Sequence, residues 1–266
     1  METSFISLSC IPYLMASAYT CYGLGAQKYQ PRAYNMLLIL VGFIFQTAFL
    51  IVRGNKIGHC PLSNLFETMI FLSWAIVLNY LIIGPIFRVS LLGTFTAPCV
   101  LLINLSALLI PGIDYPRDMS HMSPILELHA GVSLLAYGTL GLASIAAVMF
   151  LIENKYLKSR SFTRLVFLMP AIGKLDRVAF RVGLLGLVLL TVGLGAGFLV
   201  PEVRFDTVKV GWSMVFWFGY VLAICGRMVS YLSPLKYAWF VIILYGALIG
   251  TFGLINEVSK EHQFAL

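Results

Sequence analysis

Long apolar runs dominate the sequence, and the clearest of them extends from Leu134 to Ile152 without a charged residue. An α-helix rises about 1.5 Å per residue and the hydrocarbon core of a bilayer is about 30 Å thick, so roughly 20 apolar residues cross it. The run begins shortly after His129 and leads into a basic cluster that starts at Lys155. It therefore predicts a transmembrane helix with a histidine near one membrane face and cations at the other.

The composition also indicates an integral membrane protein. Of the 266 residues, 60% are apolar and only 11% are charged, and the mean hydropathy is +0.92. Soluble globular domains carry about 25% charged residues. No polar stretch is long enough to fold as a separate soluble domain, so we expect residues 1–266 to form a single membrane domain.

Eight apolar runs are long enough to cross a bilayer, which predicts an all-α, polytopic bundle of about eight transmembrane helices. The runs extend approximately from Phe5 to Leu24, Met36 to Val52, Leu65 to Ile83, Leu91 to Ile110, Ile125 to Ile152, Val182 to Val200, Gly211 to Met228 and Tyr237 to Ile255.

The net charge of +7 reflects membrane topology and not nucleic-acid binding, because most basic residues lie in short connections between apolar runs. With eight spans both termini lie on one side, where the loops carry six Lys and Arg residues against twelve on the other. Cytoplasmic loops are enriched in these residues, so both termini are predicted to be extracytoplasmic, in a bacterial inner membrane. All four histidines, His59, His121, His129 and His262, then lie on the outer side.

The longest connection, from Lys155 to Arg181, mixes basic residues with apolar ones such as Phe162 and Phe167. Such a segment suits the membrane interface, with its apolar side chains at the acyl boundary and its cations among the headgroups. We expect residues 155–181 to be a basic amphipathic cytoplasmic connection that contacts lipid and fixes the topology.

The five cysteines form no C-x-x-C and no C-x-x-C-H motif. Their spacing therefore argues against a thioredoxin-like site, a zinc site and covalent haem attachment to this chain. Only Cys60 lies clearly in a loop, so we expect no disulfide framework.

His129 has three alternative roles when the residues alone are considered: an interhelical hydrogen bond, part of a proton path, or a metal or haem ligand. At helical spacing it shares a face with Ser133, Ala136 or Tyr137, Leu140 or Gly141, and Ser144, which apart from Leu140 are small or mildly polar. This face predicts that His129 points into a bundle or cavity and not towards lipid. The patterns alone do not separate the structural role from ligation.

The sixth span carries Gly193 and Gly197 in a G-x-x-x-G pattern. Small residues let helix backbones approach closely, so we expect a packing role. A glycine face also leaves room for a planar ring.

Four segments resemble the cytochrome c assembly family of haem-handling membrane proteins, the CcsA type. The most specific is G-H-C-P-L-S-N-L-F-E at residues 58–67, followed by F-L-S-W at 71–74, which is similar to the family's G-H-F-P-L-S-N-L-Y-E and F-L-S-W. The others are T-A-P with L-L-I-N within residues 96–104, the histidine-led segment at 128–137 and L-D-R-V-A-F-R at 175–181.

The resemblance implies that His129 is an axial ligand to the iron of a non-covalently bound haem b at the outer side. It also implies partners, namely haem, apocytochrome c or other cytochrome c assembly subunits. Secondary candidates for cofactor contact are His59 and Trp212. The cations Arg204 and Lys209 are candidates for charge-assisted hydrogen bonds to haem propionates.

The chain departs from the family members that attach haem to apocytochrome c. Its loop from Val200 to Trp212 lacks their W-x-W-D-P-K-E segment. Cys225 and Asn256 stand where the family has two further histidines. We therefore expect no haem-lyase activity and a closer similarity to the HemX and YpjD branch, with Cys225 as a candidate thiolate ligand.

The expected function is haem binding or translocation in cytochrome c biogenesis or haem supply. The alternative is a membrane regulator or scaffold of a haem-biosynthetic enzyme that does not bind haem. A small-solute permease has little support, because no inverted repeat is evident in the sequence.

Overall fold

The computed structural model of the protein describes residues 2–26, 32–87, 92–111, 114, 123–159, 170–200 and 208–258, and these ranges contain eight α-helices. Each helix is long and apolar enough to cross a membrane, and no strand occurs within these ranges. The predicted all-α bundle of eight spans is confirmed, and the protein is an integral membrane protein. The helices are α1 (Glu2–Ala26), α2 (Arg32–Ile57), α3 (Leu65–Phe87), α4 (Leu92–Leu109), α5 (Pro124–Lys158), α6 (Ile172–Phe198), α7 (Val208–Met228) and α8 (Pro234–Val258).

The helix α6 begins at Ile172, ten residues before Val182, where the predicted apolar run starts. Its first turns are charged on one side, but Leu175, Val178 and Ala179 on the other side are buried. The connection predicted at residues 155–181 is therefore shorter at both ends, because α5 continues to Lys158 and α6 begins at Ile172. The part of that connection between positions 160 and 169 lies outside the described residues, and the membrane orientation of the termini stays a prediction.

The central helix is α5, which packs against α3, α4, α6 and α8. Its contact with α6 is the most extensive of the bundle. Close approach to α3 depends on Gly138, where an added Cβ would lie 2.7 Å from the Cβ of Ala75 and 3.0 Å from the backbone nitrogen of Ile76. A glycine is required there because the neighbouring atoms belong largely to the backbone and cannot rotate away.

A buried polar network joins the first four helices. Tyr13 donates to Gln46 Oε1 at 2.6 Å, and Gln46 Nε2 donates to Ser73 Oγ at 2.7 Å and to Asn104 Oδ1 at 3.1 Å. Ser73 also donates to Asn104 Oδ1 at 2.6 Å. Because an unpaired polar group is costly in an apolar interior, these bonds define one register for α1 to α4.

One end of the bundle carries the Arg53 cluster, which consists of Arg53, Glu2, Glu67 and Asp114. Arg53 donates from Nε to Glu67 at 2.8 Å and from NH1 to Glu2 at 3.0 Å, and its NH2 group donates to Asp114. Three elements and the α4–α5 connection thus meet at a single guanidinium.

Candidate functional site

His129 lies in the second turn of α5 and faces α6. Its Nδ1 is 2.7 Å from the carbonyl oxygen of Gly193. A carbonyl oxygen only accepts, so Nδ1 carries the proton, and in the neutral imidazole Nε2 has a free lone pair. Nε2 has no hydrogen-bond partner within the described ranges. Metal-binding histidines commonly show this arrangement, in which one ring nitrogen donates to a carbonyl and the other binds the metal.

The glycines of α6 make room for this ring. A Cβ at Gly197 would lie 2.7 Å from both Cε1 and Nδ1 of His129, and a Cβ at Gly193 would lie 2.7 Å from Ser133 Oγ. The G-x-x-x-G therefore packs α6 against α5, as expected. The planar ring that packs against Gly197 is the imidazole of His129.

The remainder of this α5 face is closed. Ser133 is 8% exposed, and Ala136, Leu140 and Ser144 are also buried. The prediction that His129 points into the bundle is confirmed. The Ser133 hydroxyl has no hydrogen-bond partner in the described part of the chain, which leaves one unsatisfied polar atom a turn away from the imidazole.

A groove of about 480 Å³ lies between α3 and α5, on a different face of α5 from His129. Glu127 and Gly131, each two positions from the histidine, are about 160° from it around the helix. The groove and the imidazole are thus separate features, because His129 faces the bundle and does not line the groove. The groove is lined by Cys60, Phe71, Trp74, Leu78, Pro124, Glu127, Leu128, Gly131, Val132 and Leu135.

His59 lies half-buried in the connection between α2 and α3 and precedes Cys60, which lines that groove. Its Nδ1 donates to the carbonyl of Cys60 at 2.9 Å, so in the neutral ring the lone pair lies on Nε2. Burial raises the pKa of the Cys60 thiol to about 11, and the negative charges of Glu127 and Glu67 contribute. Cys60 is therefore a neutral thiol near pH 7 and a poor metal ligand.

Trp212 lies in the first turns of α7, and its Nε1 donates to Thr251 of α8 at 3.1 Å. This bond ties the tryptophan to α8. Arg204 lies outside the described residues. The side chain of Lys209 is likewise outside them, although its backbone belongs to the first turn of α7.

Cys225 is not brought together with His129. It lies two residues before Arg227, which pairs with Asp176 at 2.6 Å, near the start of α6. Gly193, the partner of His129, is 17 residues further along α6, about 26 Å away along the helix axis. The two candidate iron ligands are therefore near opposite ends of the bundle.

Two functional contacts were missing from the sequence-based prediction. The first is the Gly193 carbonyl, which as a backbone group has no sequence signature. The second is the ion pair between Glu67 and Arg53 inside the bundle. Opposite charges at the ends of two consecutive spans were the available signal for that pair.

The fold and the site together define a polytopic helical membrane protein with one imidazole oriented at an interhelical contact near the end of the bundle. The sequence profile of the cytochrome c assembly protein family matches residues 62–256. The chain belongs to this family.

Individual relatives agree with this assignment. The chain is 30% identical over 210 residues to the cytochrome c biogenesis protein CcsA of Chlamydomonas reinhardtii, covering 73% of this chain and 55% of that protein. It is 28% identical over 163 residues to Protein HemX of Brevibacillus brevis, covering 61% and 60%. It is 27% identical over 246 residues to CcsA of Prochlorococcus marinus (strain MIT 9301), covering 82% and 79%. The matches thus span little more than half the length of the first two relatives.

Proposed function

We propose that this protein binds haem b non-covalently at the outer end of α5, with Nε2 of His129 as an axial ligand, and that it acts in cytochrome c biogenesis or haem supply. The observation that carries the proposal is the 2.7 Å bond from Nδ1 to the Gly193 carbonyl. In the neutral ring this bond places the proton on Nδ1 and the lone pair on Nε2, the nitrogen that would bind iron, and it fixes the orientation of the ring.

The residues around His129 fit a haem ligand in their chemistry. The imidazole is oriented by its bond to Gly193, and a buried hydroxyl at Ser133, one turn along α5, has no hydrogen-bond partner among the residues that the structure describes. Arg204 and Lys209, which precede or begin α7, are suited to pair with propionates. Bound haem supplies an iron centre and a vinyl-bearing porphyrin, the groups that a cytochrome c assembly pathway delivers.

The chain handles haem without forming the thioether bond itself. Its connection from Val200 to Trp212 contains no W-x-W-D-P-K-E segment. The relatives named CcsA and HemX both match this chain, which supports a place in haem delivery to apocytochrome c or to other assembly subunits. We place the protein in the bacterial inner membrane, where the distribution of basic residues favours extracytoplasmic termini.

One observation favours the alternative, a membrane regulator or scaffold of a haem-biosynthetic enzyme. The bond from His129 to Gly193 and the packing against Gly197 give the imidazole a structural role that needs no iron. In that case the exposed apolar side chains of α7 and α8, among them Phe218, Trp239 and Phe240, contact lipid or a partner.

Deletion of the gene and complementation with the wild type or His129→Ala separates the two functions. Haem delivery predicts that c-type cytochromes lose covalently bound haem in the deletion strain and in the His129→Ala strain. The level of the first haem-biosynthetic enzyme is expected to stay unchanged. The regulator alternative predicts the reverse. An immunoblot of the membrane fraction controls for expression, and the exposed Ser7→Ala on α1 serves as a neutral variant.

A further inference from the structure

We propose that Gly193 and Gly197 are positioning residues for the axial ligand, acting together through His129. Gly193 fixes the tautomer through its carbonyl, and Gly197 places the ring because it has no side chain. The inference rests on the proposed function, since it concerns how the same imidazole is prepared for iron.

The role of Gly193 follows from the hydrogen bond. Its carbonyl accepts the Nδ1 proton at 2.7 Å, which excludes the tautomer with the proton on Nε2. Without this acceptor both tautomers are accessible to a free imidazole, and only one of them presents Nε2 to a metal. Outer partners of this kind typically change metal affinity 10- to 100-fold when they are lost.

The role of Gly197 follows from its distance to the ring. A methyl group at this position would lie 2.7 Å from Cε1 and Nδ1 and 3.5 Å from Cγ of His129, so it would meet the edge that carries the donating nitrogen. The nearest contacts are side-chain atoms, and the ring is able to move. Such a movement lengthens or breaks the bond to Gly193, which couples the two glycines.

The two glycines respond differently to an added methyl group. At Gly193 the added Cβ would also lie 3.2 Å from the backbone nitrogen and 3.3 Å from the Cα of Ser133, so the two helices would have to separate. Gly197→Ala is therefore the cleaner probe, because it displaces the ring with the smaller disturbance of the helix pair.

Ser133 gives an independent indication that this seam serves a ligand. Its hydroxyl is buried one turn along α5 from His129, packs against Gly193 and has no hydrogen-bond partner among the described residues. A buried polar group without a partner destabilises the fold, so its presence here needs an explanation beyond helix packing.

Gly195 provides a matched control on the same helix. A Cβ at Gly195 meets nothing within 4 Å, so Gly195→Ala makes the same chemical change without contacting His129.

Haem affinity, the Soret and α-band positions and the midpoint potential are measured for purified wild type, Gly197→Ala and Gly195→Ala. We expect haem affinity to fall about 10- to 100-fold in Gly197→Ala. We also expect shifted bands and a shifted potential in that variant, whereas Gly195→Ala matches the wild type.

The background of His129→Ala distinguishes positioning from general packing. Because Gly197 acts through the imidazole, adding Gly197→Ala to His129→Ala is expected to change haem affinity no further. Two results would overturn the positioning role while leaving the proposed function intact. One is that Gly197→Ala lowers haem affinity equally in the wild-type and the His129→Ala backgrounds. The other is that Gly197→Ala behaves like the wild type although His129→Ala is defective. A His129→Ala protein with unchanged haem affinity and spectrum instead overturns the proposed function.

A measurement on the haem-free wild type reports the tautomer directly and requires no change at either glycine. Selective ¹⁵N-histidine labelling, with the His129 signal assigned by its absence in His129→Ala, reports which ring nitrogen is protonated. The expected result is a neutral ring with the proton on Nδ1. A ring with the proton on Nε2, or with rapid exchange between the two forms, contradicts the role of Gly193.

Discussion

Arg53 and Glu67 form an ion pair inside the bundle, with Nε 2.8 Å from Oε1 and the Glu67 side chain fully buried. The other carboxylate oxygen of Glu67 accepts from the backbone nitrogen of Ser63 at 2.8 Å and from its hydroxyl at 2.7 Å. Both oxygens are therefore satisfied, and the pair fixes the end of α2 against the start of α3. The family profile begins at position 62, so this pair links the matched region to α2, and the bond from Arg53 to Glu2 extends the link to α1.

Removal of Arg53 is expected to destabilise the protein strongly. Arg53→Met leaves the Glu67 carboxylate buried without its cation, which costs about 3 to 5 kcal/mol for a broken buried pair. Thermal unfolding in detergent measures the change. The double variant Arg53→Met with Glu67→Met is expected to regain much of the loss. Lys56→Met is the control, since its side chain is 67% exposed and a surface pair contributes less than about 1 kcal/mol. Equal losses in Arg53→Met and Lys56→Met would contradict the burial of the pair.

Gln46 is expected to stabilise α1 to α4 through its three side-chain bonds. Gln46→Leu leaves the Tyr13 hydroxyl without its acceptor, while Ser73 and Asn104 keep their bond to each other. The expected loss in unfolding free energy is about 1 to 3 kcal/mol, the cost of an unsatisfied buried polar group. Ser7→Ala on the exposed side of α1 should change stability by no more than about 0.5 kcal/mol. A neutral Gln46→Leu would show that the network contributes nothing.

Substitution by alanine is expected to change the stability of the protein differently at two glycines of α5. Gly138→Ala places a methyl group 2.7 Å from Ala75 Cβ and 3.0 Å from backbone atoms, and overpacking of this kind costs about 1 to 3 kcal/mol. Gly131→Ala meets nothing within 4 Å, and alanine's higher helix propensity is expected to leave stability unchanged or raised. Unfolding in detergent is measured for both proteins. If the two alanine variants behave alike, α3 and α5 do not pack as described.

The Cys60 thiol should react with iodoacetamide slowly near neutral pH, because the thiolate is the nucleophile. Burial and the nearby carboxylates raise its pKa to about 11, so at pH 8.5 the thiolate fraction is about two orders of magnitude below that of an ordinary thiol. In a protein whose other four cysteines are alanine, the alkylation rate should rise about tenfold per pH unit up to pH 10. Glu127→Gln removes one raising charge and should speed labelling at a given pH. A rate that levels off near pH 8.5 would contradict the raised pKa.

Much of the fold was predictable because transmembrane helices are encoded by local composition. The eight apolar runs and the face shared by His129 and Ser133 needed only helix length and periodicity. The predicted start of α6 was too late because the apolar run excludes the charged first turns. The helix includes these turns, and Asp176 within them pairs with Arg227. That pair joins residues far apart in sequence and has no local signal.

The site was less predictable, because its geometry depends on which helices are neighbours. His129 was identified from the sequence, but its partner at Gly193 is a backbone group 64 positions away. The groove between α3 and α5 requires Phe71 and Trp74 of α3 to lie across from the open space at Gly131. Neither arrangement follows from periodicity within one helix.

The absorption spectrum of the purified protein, compared between the wild type and His129→Ala, tests the central claim most directly. Axial ligation by Nε2 predicts a Soret band in the wild type that is weakened or shifted in His129→Ala at equal protein concentration and equal folding. Identical Soret bands in both proteins would contradict ligation, and the imidazole would then serve only the contact between α5 and α6.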